Sequence, residues 1–195
     1  MKRHAAYIFF AVLLLAFNVV AATAQGIPSS NTAAAPVTGF RASFLKQIDD
    51  AEKKLIALSE AVPQEKYSWR PAPGVRSISE VFMHVASSNY FILNQMGVKA
   101  PAGLEANPEK ITDKAKVTDS LKRSFEFVRQ TALSTSDTDL DKPVNLFGGK
   151  ATARDVLFLL ATHVHEHLGQ SIAYARTNGV VPPWSVVRGK PGPGE

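Results

Sequence analysis

Four amphipathic segments, separated by stretches rich in proline and glycine, limit most strongly how this chain folds. In the first segment, residues 38–61, apolar side chains recur three and four positions apart, at Phe40, Phe44, Ile48, Ala51, Leu55 and Leu58. Residues 77–97, 113–134 and 152–179 show the same spacing, which is typical of an α-helix with one buried face. An alternating strand pattern is missing, although residues 144–147 favour a brief extended piece. The sequence therefore predicts an all-α domain, an antiparallel four-helix bundle.

Capping sequences mark where two of these helices begin. Ser77 and Glu80 form a predicted capping box, in which the serine accepts a free backbone N–H and the glutamate reaches back to the serine N–H. Thr152 and Asp155 are placed in the same way before the fourth segment. Gly179 follows that segment and supplies its left-handed stop.

The second helix is predicted to bury a stripe that includes a histidine. The stripe comprises Val81, His84, Val85, Ser88, Phe91, Ile92 and Gln95. The preceding stretch, residues 63–76, contains three prolines and cannot continue a helix. We expect this stretch to return Tyr67 and Trp69 to the core.

The N-terminus has the composition of an export segment. A short basic start precedes an apolar run that ends in small residues, and Ala22 and Ala24 match the rule for signal-peptide cleavage. We predict a signal peptide at 1–24, a flexible linker at 25–37, the bundle at 38–184 and a disordered tail at 185–195. The mature protein would be periplasmic or secreted, with no stable membrane span after cleavage. An uncleaved membrane anchor is the alternative, because the apolar run is about long enough to cross a bilayer.

Composition excludes several functions. The chain contains no cysteine, so disulfides, thiolate metal sites and a cysteine nucleophile are impossible. After cleavage 20 basic residues face 17 acidic ones, scattered along the chain, so a nucleic-acid partner is not expected. A hydrophobic content of 45% and a charged content of 20% are those of an ordinary globular domain.

Three of the five histidines lie within one helical segment, residues 161–179. Residues four apart on a helix differ by about 40° around the axis and about 6 Å along it, so His163 and His167 project from one face. His165 is about 200° from His163 and points to the other side, as a surface or packing residue. Together with His84 on the second helix, the pair predicts a metal site with three imidazole ligands. The remaining coordination positions of the ion would be free for water or substrate. Buried histidines that only form hydrogen bonds are the alternative that spacing alone leaves open.

Two longer motifs resemble a known family. They are RPAPGVRSISEVFMH, from Arg70 to His84, and HVHEHLGQSIAYARTNGVVPPWS, from His163 to Ser185. Together they are similar to the DinB family, the DinB/YfiT-like four-helix bundles, over nearly the whole mature chain. The resemblance implies a divalent metal, zinc or nickel, bound by His84, His163 and His167. It also implies a metal-dependent activity that is hydrolase-like or thiol-transferase-like.

Two further residues border the predicted site. Glu166 is about 80° from the midpoint of the histidine pair, which suits the pocket edge or a hydrogen bond to a ligand better than direct ligation. Gln170 lies one turn beyond His167, where it could orient a ligand imidazole or a water, or satisfy some other buried polar group.

Two classes of function remain open. In the first, the protein is an exported metalloenzyme that acts on a small-molecule substrate. The thiol-transferase version of this hypothesis conflicts with export, because low-molecular-weight thiols are mainly cytosolic. In the second, it is a non-catalytic helical binding module whose metal is structural. Pairing of two bundles as a homodimer stays open in either class.

Overall fold

The computed structural model describes residues 37–186. The predicted signal peptide, residues 25–36 of the linker and the tail beyond residue 186 lie outside the described residues, so those assignments stay predictions. Among the helices that the structure describes, none is both long enough and apolar enough to cross a bilayer.

Four helices form the domain, and a two-stranded hairpin precedes the last of them. The helices are α1 (Gly39–Ala61), α2 (Ile78–Asn94), α3 (Lys114–Ser134) and α4 (Ala153–Thr177), and the strands are β1 (Pro143–Leu146) and β2 (Gly149–Thr152). Both predicted capping boxes are present, at the starts of α2 and α4. The prediction of an all-α four-helix bundle is confirmed.

Helix α1 packs extensively against α3 and α4, and so does α2. Helix α1 therefore lies diagonally across the bundle from α2. Along α1 and α3, Lys114 bonds the carbonyl of Val62 while Arg129 pairs with Asp49, so these two helices run antiparallel. At the other side, the guanidinium of Arg154 lies 5.1 Å from the ring centroid of Phe40, near the starts of α4 and α1. Within the described residues, α1 lies diagonal to α2 and α3 lies diagonal to α4, although each pair is adjacent in sequence, whereas α2 and α3 are direct neighbours.

The core lies along the bundle axis and is apolar. Its fully buried side chains come from all four helices and include Ile48, Leu55, Leu58, Leu93, Leu121, Phe125, Val128, Leu157, Leu160 and Val164. Because this core is continuous, the bundle has a source of stability that does not depend on a bound ion.

The hairpin differs from the brief extended piece expected at 144–147. Val144 pairs with Ala151 and Leu146 with Gly149 in antiparallel register. The turn between the strands has positive φ at both Phe147 (51°) and Gly148 (91°). Two positive φ values suit a two-residue hairpin turn, but a bulky residue seldom occupies the first position. The sequence therefore lacks the residue type that usually begins such a turn, and for this reason the second strand was not predicted.

Phe91 was predicted to be buried, and this was wrong. Its side chain is 60% exposed, and its ring stacks on that of Phe147 with centroids 5.8 Å apart. The tip of the hairpin thus covers part of α2 with an aromatic contact that helical periodicity cannot reveal, since the partner comes from a separate element.

The proline-rich stretch between α1 and α2 returns to the core as predicted. Tyr67 is fully buried, and its hydroxyl donates a hydrogen bond of 2.6 Å to the carbonyl oxygen of Ser59. Trp69 packs edge-on against Tyr174 of α4, with ring centroids 5.4 Å apart. Both contacts fix the entry to α2, the helix that bears His84.

Tyr67→Phe is expected to lower the free energy of unfolding by about 1–2 kcal/mol, because it leaves a buried carbonyl oxygen without its donor. Urea denaturation would measure the change. Tyr90→Phe is a matched control: the Tyr90 hydroxyl has no hydrogen-bond partner among the described residues, so we expect a change within about 0.5 kcal/mol. Equal losses in both variants would contradict this account of Tyr67.

Candidate metal centre

The packing of α2 against α4 brings the three predicted histidines together. Ring centroids are 5.1 Å apart for His84 and His163, 4.7 Å for His84 and His167, and 4.5 Å for His163 and His167. One nitrogen from each ring lies within 4.8 Å of the others. His167 is buried, and the other two rings are partly buried. The side chains therefore form one compact cluster between two helices that are remote in sequence.

Hydrogen bonds at the outer nitrogens orient two of the rings. The Nδ1 atom of His84 lies 3.2 Å from the Oε1 atom of Glu109, and Nδ1 of His167 lies 2.8 Å from Oε1 of Gln170. Carboxylate and amide oxygens only accept hydrogen bonds, so both Nδ1 atoms carry the proton. The Nε2 atoms of His84 and His167 consequently carry the lone pairs that can bind an ion.

The inner nitrogens have a spacing that suits a metal ion. Nε2 of His84 and Nε2 of His163 are 3.2 Å apart. Two imidazole nitrogens bound at about 2.0–2.1 Å around a tetrahedral ion are separated by about 3.3 Å. Without an ion, one proton can be shared between these two nitrogens, and a bound cation would replace it. The donor set thus fits a divalent ion with three nitrogen ligands.

The electrostatic surroundings keep two of the imidazoles neutral. Burial lowers the pKa of His163 to about 4, and the neighbouring His167, His84 and Arg76 add to this effect. Burial also lowers the pKa of His84, with Arg76 and His167 acting in the same direction and Glu109 opposing them. Only neutral imidazole can ligate a metal, so both rings are in the ligating form at neutral pH.

A polar cavity of about 760 Å³ opens beside the cluster. His167 forms part of its wall, and the charged or polar lining residues are Arg70, Arg76, Glu80, Glu109, Glu166 and Gln170. Glu166 is exposed at this cavity, while Gln170 also donates a 3.0 Å hydrogen bond from Nε2 to the Tyr174 hydroxyl. The cavity gives solvent and small molecules access to the cluster from the side of His167, the histidine that lines it.

The sequence did not point to Glu109 or Arg76 as part of this site. Glu109 lies in a short helical turn, Pro108–Lys110, inside the loop between α2 and α3. Its carboxylate accepts from His84 and also from the Nε atom of Arg76, at 3.2 and 3.1 Å. A loop residue has no helical period from which its direction can be predicted, and neither residue belongs to a capping sequence.

Glu109→Ala is expected to weaken divalent-metal binding by about 10-fold to 100-fold, because the His84 ring loses the acceptor that fixes its tautomer and orientation. Competition with a coloured chelator would measure the dissociation constant. Glu105→Ala, an exposed position in the same loop, should leave the constant unchanged. An unaltered constant in Glu109→Ala would show that the carboxylate does not support the ligand.

His165 lies outside the cluster. Its Nδ1 atom donates a 2.8 Å hydrogen bond to the carbonyl oxygen of Ala161 one turn earlier. The ring borders a separate apolar recess with Phe40 and Phe158. The structure thus separates His165 from the other histidines of α4.

Fold and site together define a four-helix bundle with a three-histidine cluster between α2 and α4. The chain belongs to the DinB superfamily, whose family model matches residues 47–171.

Solved structures show the same fold at low sequence identity. A DinB-like protein from Bacillus cereus is 23% identical, with a TM-score of 0.62 over 76% of this chain and 95% of the other. YfiT from Bacillus subtilis is 14% identical, with a TM-score of 0.59 over 75% and 92% of the two chains. YfiT is described as a probable metal-dependent hydrolase with an unusual four-helix bundle topology. A search of curated proteins found no match.

Proposed function

We propose that this protein is an exported, divalent-metal-dependent enzyme that hydrolyses a small-molecule substrate, with His84, His163 and His167 as the metal ligands. The observation that supports it most is the convergence of three imidazoles next to a cavity that is open to solvent. A structural metal site that only held two helices together would not require such an opening. Zinc and nickel are among the ions that imidazole ligands suit.

The ion, when bound, supplies Lewis acidity toward an oxygen atom of water or substrate. The protein's own residues position what enters the cavity. Arg70 is held by Glu80 and by the carbonyl oxygen of Val75, so its guanidinium is fixed at the cavity wall. Glu166 has no ion-pair partner within residues 37–186, which makes its carboxylate the free group at the cavity that can accept a proton.

Hydrolysis is preferred to thiol transfer for a chemical reason. Thiol transfer needs a low-molecular-weight thiol, and an exported protein would meet water in far larger supply than such a thiol. The polar lining of the cavity, with both arginines and carboxylates, supports a substrate with polar or charged groups. A thiol-transferase-like activity is retained as the alternative within the enzyme class.

The competing proposal is a binding module with a structural metal. The apolar core argues against it, because the helices already bury a continuous set of apolar side chains without an ion. Removal of the ion should then remove only the stabilisation that comes from its binding to the folded state. The melting temperature should fall by a few degrees, and the helical content should be retained. Loss of cooperative unfolding on chelation would favour the structural role instead.

A hydrolysis screen tests the enzymatic role. Metal-loaded protein would be assayed on chromogenic carboxylic esters, phosphoesters and amides, in parallel with chelator-treated protein and with His163→Ala. Turnover that requires both the ion and His163 is the expected result. Metal-loaded protein that turns over none of these classes, but transfers a thiol to an electrophile, would overturn hydrolysis in favour of the alternative chemistry.

A further inference from the structure

We propose that a second cavity, separate from the metal centre, binds a neutral, largely apolar small molecule. The cavity lies between α2, α3 and the loop of residues 101–108, and its volume is about 670 Å³. Met83 and Ala86 line it from α2, Phe127 from α3, and Pro101 and Leu104 from the loop. None of the three clustered histidines lines it, although Pro108 in its wall directly precedes Glu109.

The size and the walls of this cavity suit a small molecule. Ligand pockets commonly have volumes of about 300–1,000 Å³ and mostly apolar linings. Leu104 is 45% exposed and Phe127 is only partly buried, so apolar surface faces solvent here. An apolar occupant would remove that surface from water, which is the main source of affinity in such pockets.

The cavity wall contains a hydroxyl that can donate to a ligand, that of Tyr90. Tyr90 is 8% exposed, and its ring packs against Phe127 with centroids 5.1 Å apart. Its hydroxyl forms no hydrogen bond within residues 37–186, whereas the hydroxyl of the fully buried Tyr67 does. This hydroxyl is not one of the fully buried unpaired atoms of residues 37–186, so its O–H can donate to a molecule that enters the cavity. An acceptor atom on the ligand would form this hydrogen bond in place of water.

The charges at the cavity mouth argue for a neutral ligand. Arg123 already pairs with Asp119 one turn earlier on α3, and Glu126 lies 3.6 Å from Arg129. Glu105, the other charged residue of the lining, is exposed to solvent. Among the described residues that line the cavity, none therefore places an unpaired charge in its buried part that could compensate a charged group on the ligand.

The inference predicts that one ligand acceptor lies against Tyr90 and that the rest of the molecule contacts apolar walls. Prodan is a suitable probe, since it is a neutral naphthalene with one ketone oxygen, and its emission shifts to the blue when it leaves water. We expect saturable binding of one prodan per chain with a blue shift. The triple variant His84→Ala, His163→Ala, His167→Ala should bind it equally well, which makes this test independent of the metal proposal.

Two variants locate the binding. Ser120→Trp fills the cavity from α3 and should abolish the blue shift, whereas Ser134→Trp places the same side chain at an exposed position of the same helix and should not. Tyr90→Phe keeps the shape of the cavity and should weaken binding roughly threefold to tenfold through loss of one hydrogen bond. Failure of the parent protein to bind prodan would overturn the proposal, as would equal binding by the two tryptophan variants when both show helical spectra. Undiminished binding by Tyr90→Phe would overturn the role of the hydroxyl.

Discussion

His163→Ala is expected to weaken divalent-metal binding by at least about 100-fold. The loss should exceed the 10-fold to 100-fold effect typical of residues that only support a ligand, because His163 is itself one of three ligands. The Nε2 atom of His163 lies 3.2 Å from that of His84, so its removal opens one side of the proposed coordination sphere. A competition titration of metal-free protein with zinc and a coloured chelator would measure the change.

His165→Ala is the matched control for this experiment. It removes the same side chain from the same helix, two positions away, but its imidazole bonds the carbonyl oxygen of Ala161 and does not join the cluster. Zinc affinity should therefore equal that of the parent. If His165→Ala lost as much affinity as His163→Ala, the ligand assignment drawn from the geometry would be wrong.

Acidification is expected to destabilise the metal-free protein between about pH 6.5 and pH 4. Burial lowers the pKa of His163 to about 4, whereas the unfolded chain binds a proton at this residue near pH 6.5. Within that window the unfolded state binds more protons than the folded state, so the free energy of unfolding falls as the pH falls. Since the ring is only partly buried, water screens part of the effect, and we expect a loss of about 1–2 kcal/mol from His163. His84, whose pKa burial also lowers, adds to it in the same direction.

Urea denaturation at a series of pH values would measure this dependence, with His163→Gln as the comparison. The variant should lose less stability than the parent between pH 6.5 and pH 4, because it lacks the group that titrates there. Carboxylates with lowered pKa, such as Asp139 at about 2, lose their stabilising contribution at still lower pH and should affect both proteins alike. Parallel curves for parent and variant across the window would contradict the burial argument for His163.

Much of the bundle could be predicted because its determinants are local. Helix periodicity and two capping boxes are encoded within a few residues, and α2 and α4 begin where Ser77 and Thr152 predicted. Which helices become neighbours depends instead on how long loops cross the ends of the bundle, and apolar spacing contains no information about that. The hairpin was missed because Phe147 adopts a positive φ that the surrounding structure must enforce.

The same distinction applies to the residues of the site, since some could be predicted from local spacing and others only from the folded chain. Spacing on one helix predicted that His163 and His167 share a face, and the buried stripe of α2 supplied His84. The partner of His84, Glu109, comes from a loop 25 residues away, and only the folded chain shows that Arg76 and His84 share its carboxylate. Gln170 was considered from the sequence as a residue that could orient an imidazole, and the structure places its Oε1 atom against His167.

The most direct test of the central claim is elemental analysis of the protein, purified without an affinity tag. The triple variant His84→Ala, His163→Ala, His167→Ala would be analysed beside it, after its helical spectrum shows that it folds. We predict close to one divalent ion per parent chain and none in the variant. A parent protein that contains no ion, even after incubation with zinc and with nickel, would contradict the metal centre and the enzymatic function proposed from it.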